Sequence, residues 1–201
     1  MSERFNQAAQ EWDKGDMRQN IAHAVFQMIA SRISLLNHMN IMDFGAGTGL
    51  LSFKLAPLVK SVVGVDLSEK MLEQLALKNT STLEVTPLYH DILNEPLNQQ
   101  FHGIVSSMAM HHVEDTAELF KAFHTHLKRD GFIAIADLEA EDGTFHTHGN
   151  EGVHHFGFER ERLRTTIENA GFEHVRFHNA YTVEKENGTY PIFLVTASKK
   201  G

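Results

Sequence analysis

The chain has 201 residues, 42% of them hydrophobic and 22% charged, which fits one globular domain with a sizeable core. Its formal charge is −8 with histidines neutral, so no net positive field draws it to nucleic acid phosphates or anionic membranes. It has no cysteine, which excludes disulfides, thiolate nucleophiles and cysteine-ligated zinc.

The N-terminal stretch "FNQAAQEWDKGDM" is polar with isolated Phe5 and Trp12 and reads as a helix or a flap. Residues 20 to 36 place Ile21, Val25, Met28, Ile29, Ile33 and Leu36 at helical spacing. "NIMDF" (40–44) reads as a short buried strand, followed by a glycine turn and a helix from about Gly49 to Leu58. "SVVGVD" (61–66) is a second strand, and Ser68 can cap the next helix. "TLEVTPLYHD" (82–91) and "FHGIVSSM" (101–108) are the third and fourth strands.

Helical spacing returns through Val113, Ala117, Phe120, Phe123 and Leu127, and "KRDG" (128–131) reads as a stop and a turn. "GFIAIADL" (131–138) is the fifth strand. Residues 139–157 are rich in Gly and His and have no clear period. "FERERLRTTIENAG" (158–171) is a helix with Gly171 as its stop. Residues 172–199 read as two strands joined at "KENG". Strands alternating with helices imply a parallel α/β sheet, and the final hairpin implies one antiparallel strand.

The turn "GAGTG" (45–49) lets backbone approach a ligand where a Cβ would clash. Its spacing is neither the dinucleotide fingerprint, because Leu50 stands where the third glycine belongs, nor a P-loop. Asp43 precedes the first glycine by two residues; a carboxylate there disfavours a pyrophosphate and suits a cationic amine or sulfonium. Asp66 ends the second strand, beside the turn, where it can accept from ribose hydroxyls. Asp91 and Ile92 close the third strand and can frame an adenine, the carboxylate at the amine and the apolar side chain on the ring.

The series "IMDFGAGTG", "VVGVDLSEKML", "HDI", "GIVSSMAMHHV", "LKRDGFIAIAD" resembles the ordered motifs of class I S-adenosylmethionine-dependent methyltransferases. The branch it most resembles includes the ubiquinone/menaquinone biosynthesis enzymes, over roughly residues 38–199. That resemblance implies a Rossmann-like doubly wound sheet of seven strands, order 3-2-1-4-5-7-6 with strand seven antiparallel and helices on both faces. It implies S-adenosylmethionine as cofactor and S-adenosylhomocysteine as product. Asp43, Gly45, Ala46 and Gly47 would line the methionine part, Asp66 the ribose, Leu67 the adenine face, Asp91 and Ile92 the adenine edge, and Ser107 the methionine and substrate mouth. Phe5 and Trp12 either cap the core or cover the cofactor.

The acceptor side is read from the segments after strands four and five. The Asp/Asn-Pro-Pro-aromatic motif of adenine- and amide-nitrogen methylation is missing after strand four. With the acidic charge, a small organic acceptor is expected and no nucleic acid. His111 is expected to serve as base, with His154 and His155 next. Residues 139–157, His111 and the stretch around Trp12 are expected to form the walls and lid of the acceptor pocket, with phenylalanines as apolar walls. His146, His148, His154 and His155 with Glu151 or Asp142 are an alternative metal set, but they lack a diagnostic pattern, and no metal is expected. The expected organisation is one domain: a helical cap (1–37), a cofactor-binding core (38–138), a lid (139–157) and a C-terminal helix and hairpin (158–201). With no apolar run of about 18 residues and no signal-peptide core, the expected location is the cytoplasm, as a monomer or homodimer with no membrane contact. The alternative function is a catalytically silent S-adenosylmethionine-binding sensor or partner-binding protein.

Overall fold

A computed structural model describes residues 2–146 and 149–201. Seven strands form one sheet: β1 (Asn40–Phe44), β2 (Ser61–Asp66), β3 (Thr86–Tyr89), β4 (Phe101–Ser107), β5 (Leu127–Leu138), β6 (Phe172–Lys185) and β7 (Gly188–Lys199). Their spatial order is β3-β2-β1-β4-β5-β7-β6, as the resemblance implies. β7 runs antiparallel to both β5 and β6, and the other pairs are parallel. β1, β2 and β4 are buried along nearly their whole lengths because helices cover both faces of the sheet.

Helices α1 (Ser2–Ala8), α2 (Asp16–Arg32), α3 (Ser52–Leu55), α4 (Glu69–Leu77), α5 (Thr116–His126) and α6 (Arg160–Asn169) complete the fold. Local chemistry sets where they start. The Ser68 side chain accepts the Met71 N–H at the head of α4, and Asp115 accepts from Ala117 and Glu118 at the head of α5. Two apolar clusters fill the two sides of the sheet. Phe101, Phe120, Phe123 and Phe193 anchor one, and Ile29, Ile41, Leu55 and Leu75 the other.

Three local expectations are corrected. The helix expected over 49–58 is a single turn, α3, followed by a 3-10 turn at Ala56–Leu58, because Pro57 removes an N–H from the ladder. β3 is four residues long, less than half its expected length; it is an edge strand, which tolerates Pro87, and the chain leaves the sheet before Asp91. "KRDG" lies inside β5 and is not a free turn. Pairing there jumps from Phe101–Leu127 to Gly103–Phe132, and Asp130 takes φ +59° to absorb the extra residues.

The strand order reverses between β1 and β4. A crevice opens there beyond the carboxyl ends of the parallel strands, the place where such sheets bind ligands.

Candidate active site

That crevice is a cleft of about 690 Å3, within the range of small-molecule sites. All ten residues expected around a cofactor, from Trp12 to Ser107, lie in its lining. The floor is the glycine turn. The N–H groups of Gly45 and Ala46 donate to the Val65 carbonyl, which ties the turn to the end of β2. Gly45 has φ +66°, and a Cβ on it would lie 2.3 Å from that of Ala109, so the end of β4 can approach only a glycine. Gly47 has φ +55° but open space; the nearest atom to an added Cβ is the Trp12 indole Nε1 at 4.0 Å.

Asp66 sits at the junction of β2 and the turn. Its Oδ2 accepts the Gly47 N–H at 2.8 Å and its Oδ1 accepts the Ser68 N–H at 2.8 Å. Burial pushes its carboxyl above the usual range. Asp43, deeper in β1, is buried and accepts from Ser52 Oγ at 2.5 Å. Burial, opposed by that hydrogen bond and reinforced by the nearby Asp66, raises its pKa to about 7. Two acids and no lysine face this end, where a cation is electrostatically welcome.

Asp91 lines the cleft, yet its own loop engages it. Oδ1 accepts from the Leu93 and Asn94 N–H groups, and Oδ2 accepts from the Asn94 side chain at 2.6 Å. Ile92 is buried and turns into the core as well as the cleft. At the end of β4, Ser107 is followed by Met108 with φ +58°, a left-handed conformation rare for a residue with a Cβ.

Arg18 is a lining residue that sequence reading missed. Its guanidinium lies 3.9 Å from the Trp12 ring centre and donates to the Trp12 carbonyl at 3.3 Å. Its helix gives no hint of this, since only the path of α2 across the fold brings position 18 to the cleft.

The expected histidines separate. His154 lines the cleft. His111 does not; it is 2% exposed and hydrogen-bonded through Nδ1 to Asp137 Oδ1 at 2.7 Å. Its neighbour His112 takes the place in the wall. The 3-10 turn Met110–His112 sends successive side chains in different directions, and the adjacent pair hid which one faces out. His155 points away, with its Nε2 against the carbonyls of Val113 and Glu114 at 2.9 and 3.1 Å. Burial pushes His112 and His146 down to about 4, helped by the nearby His111. Phe145 and Phe156 are not cleft walls. Phe145 is buried against Tyr190, ring centres 5.3 Å apart, and Phe156 is exposed. Among the described residues, His154 and His155 of the alternative metal set do not gather with His146; His148 lies outside the described residues.

The sequence profile of a methyltransferase domain family matches residues 41–131. Over these residues the chain is similar to a methyltransferase domain. They carry the glycine turn, Asp66, Asp91 and the end of β4. An uncharacterized methyltransferase of Schizosaccharomyces pombe is 34% identical over 149 residues, 66% of this chain and 52% of the relative. A malonyl-[acyl-carrier protein] O-methyltransferase of Bacillus cereus is 24% identical, covering 89% of this chain and 64% of its own. The chain thus spans about half the length of the first relative and under two thirds of the second. Among solved structures, the magnesium protoporphyrin IX methyltransferase of Synechocystis PCC 6803 with bound S-adenosylmethionine superposes with a TM-score of 0.67. It is 16% identical, covering 91% of this chain and 80% of that one. Among the described residues, no helix is long and apolar enough to cross a membrane.

Proposed function

We propose that this chain transfers the methyl group of S-adenosylmethionine to a small organic acceptor and releases S-adenosylhomocysteine. The observation that carries this reading is Asp66, pinned by the Gly47 and Ser68 amides at the carboxyl end of β2 and facing the cleft. A carboxylate fixed in that way presents its remaining lone pairs to a pair of ribose hydroxyls. The rest of the floor fits the same ligand. The open backbone at Gly47 admits close approach, Asp43 suits the amine, and Arg18 suits a carboxylate. In our reading Gly45, Ala46 and Ser107 line the methionine part, and Leu67, Asp91 and Ile92 surround the adenine. Trp12 covers the turn.

When bound, the cofactor supplies an electrophilic methyl group on a sulfonium. The chain's task is then to align an acceptor with that methyl and to exclude water. The acceptor enters beside Met108, His112 and His154. We assign the proton-accepting role to His154, the one expected histidine in the lining. His111 and His155 act as positioning residues: the His111 carbonyl accepts the N–H groups of both His154 and His155. The acidic charge supports a small acceptor over a nucleic acid. Phe5, Trp12 and His154 serve as cover.

The test is transfer of labelled methyl to a panel of carboxylic acids, phenols, thiols and amines. Turnover with one class supports the proposal. Tight cofactor binding with no transfer to any of them favours the silent cofactor-binding reading.

A further inference from the structure

His111, His112 and His146 meet behind the acceptor wall of the cleft. One ring nitrogen from each lies within 4.8 Å of the other two. Ring centres of His111 and His112 are 4.1 Å apart, and those of His111 and His146 are 5.2 Å apart.

Hydrogen bonding fixes the free nitrogen of His111 and of His112. The Asp137 carboxylate can only accept, so Nδ1 of His111 carries the proton and Nε2 keeps a lone pair. The Gly152 carbonyl, 2.7 Å from Nδ1 of His112, can also only accept, so Nε2 of His112 keeps its lone pair too. His111 Nε2 is buried with no hydrogen-bond partner, and so is His146 Nδ1 among the described residues. A buried lone pair with no donor in reach, as at His111 Nε2, is costly. A cation removes that cost.

We propose that His111, His112 and His146 bind one divalent transition metal ion, zinc by the chemistry of the donors. Three neutral imidazoles are a familiar zinc set that leaves a fourth position open. The outer groups match as well. Asp137 on His111 and a backbone carbonyl on His112 are the partners that orient metal-binding imidazoles and raise their basicity. Tetrahedral coordination at about 2.0–2.1 Å places ligand nitrogens about 3.4 Å apart, so the trio must contract. His146, carried on a loop outside any helix or strand, supplies that movement. His112 also lines the cleft, which puts the ion at the wall that an acceptor would touch.

The full chain, stripped with a chelator, is titrated with Zn2+ and separately with Co2+, whose visible absorption reports tetrahedral coordination. One equivalent is expected to bind each protein molecule. His146→Gln and His112→Gln should each abolish the Co2+ spectrum while the circular dichroism stays native. Asp137→Asn should weaken Zn2+ by about 10- to 100-fold. His23→Gln, an exposed histidine elsewhere, should bind like wild type. Absence of saturable binding, or binding that survives both His146→Gln and His112→Gln, overturns the site. The readout is metal binding, so its failure is separate from any failure of methyl transfer.

Discussion

Asp137 grips His111 twice. One carboxylate oxygen accepts the ring Nδ1–H at 2.7 Å, and the other accepts the backbone N–H of the same residue at 3.1 Å. The Leu138 N–H is a third donor, at 2.8 Å, and both residues are buried. Asp137→Ala orphans all three donors. Each unsatisfied buried group costs about 1–3 kcal/mol, so we expect a loss of about 3–5 kcal/mol in urea unfolding at neutral pH. A loss under about 1 kcal/mol, less than one such donor costs, would mean that the grip matters little to the folded state.

The two glycines of the turn should respond differently. Gly45→Ala meets Ala109 at 2.3 Å and is expected to give little folded protein. Gly47→Ala meets open space, so it pays only for its left-handed backbone, about 1–2 kcal/mol. Gly47→Val should fold and lose S-adenosylhomocysteine, because its branches project where the ligand would lie. Calorimetry decides, and wild-type affinity in folded Gly47→Val contradicts a ligand over the turn.

Asp66→Ala removes a charged acceptor worth about 1.5–3 kcal/mol to its partners. We expect S-adenosylhomocysteine to bind roughly 10- to 100-fold more weakly, from the same range. Arg18→Gln tests the opposite end of the ligand. A lost pairing with its carboxylate should weaken binding about 10-fold or more, and should flatten the salt dependence of affinity. Unchanged affinity in Arg18→Gln would place the carboxylate elsewhere.

The Asp43 carboxyl rises from its usual 3.8 to about 7 in the folded chain. The native state therefore holds a proton that the unfolded chain has released. The stability owed to Asp43 is complete below about pH 4 and falls as pH rises through about 7, by at most about 4 kcal/mol. Asp43→Asn should flatten that slope and be the more stable protein at pH 8. A cationic ligand at this carboxylate should also expel the proton. Binding near pH 6 then shows an enthalpy that varies with the ionisation heat of the buffer, and Asp43→Asn loses that variation.

Much of the cleft is legible in the chain because order along the sequence places it. A residue that ends a parallel strand is at the carboxyl edge whatever the rest of the fold does, and this locates the turn, Asp66 and Ser107. The same order brings Asp91 to the cleft but does not reveal its capture by Asn94, since a local side-chain turn competes with any ligand. Arg18 is invisible because helix crossing, not strand order, delivers it. Phe145 reads as a wall because its segment lacks a period. In fact Lys185 lies over its ring, 3.9 Å from the centre, and Tyr190 packs on its edge. Both partners lie about forty residues away on the last hairpin, and no local pattern announces them.

Residues 4–13 are sewn to the rim of the cleft. Arg4 donates to the carbonyls of Gly149 and Glu151, Asn6 accepts from Ser68 Oγ, and Asp13 takes both Thr48 and Lys78. Phe5 and Trp12, on the same stretch, line the cavity that it crosses. We predict that a ligand enters as this strap lifts. The observed association rate should climb with ligand concentration only to a ceiling, set by a first-order opening step. Asp13→Ala, which cuts two stitches, one of them to Thr48 in the glycine turn, should raise that ceiling and shorten the residence of bound ligand.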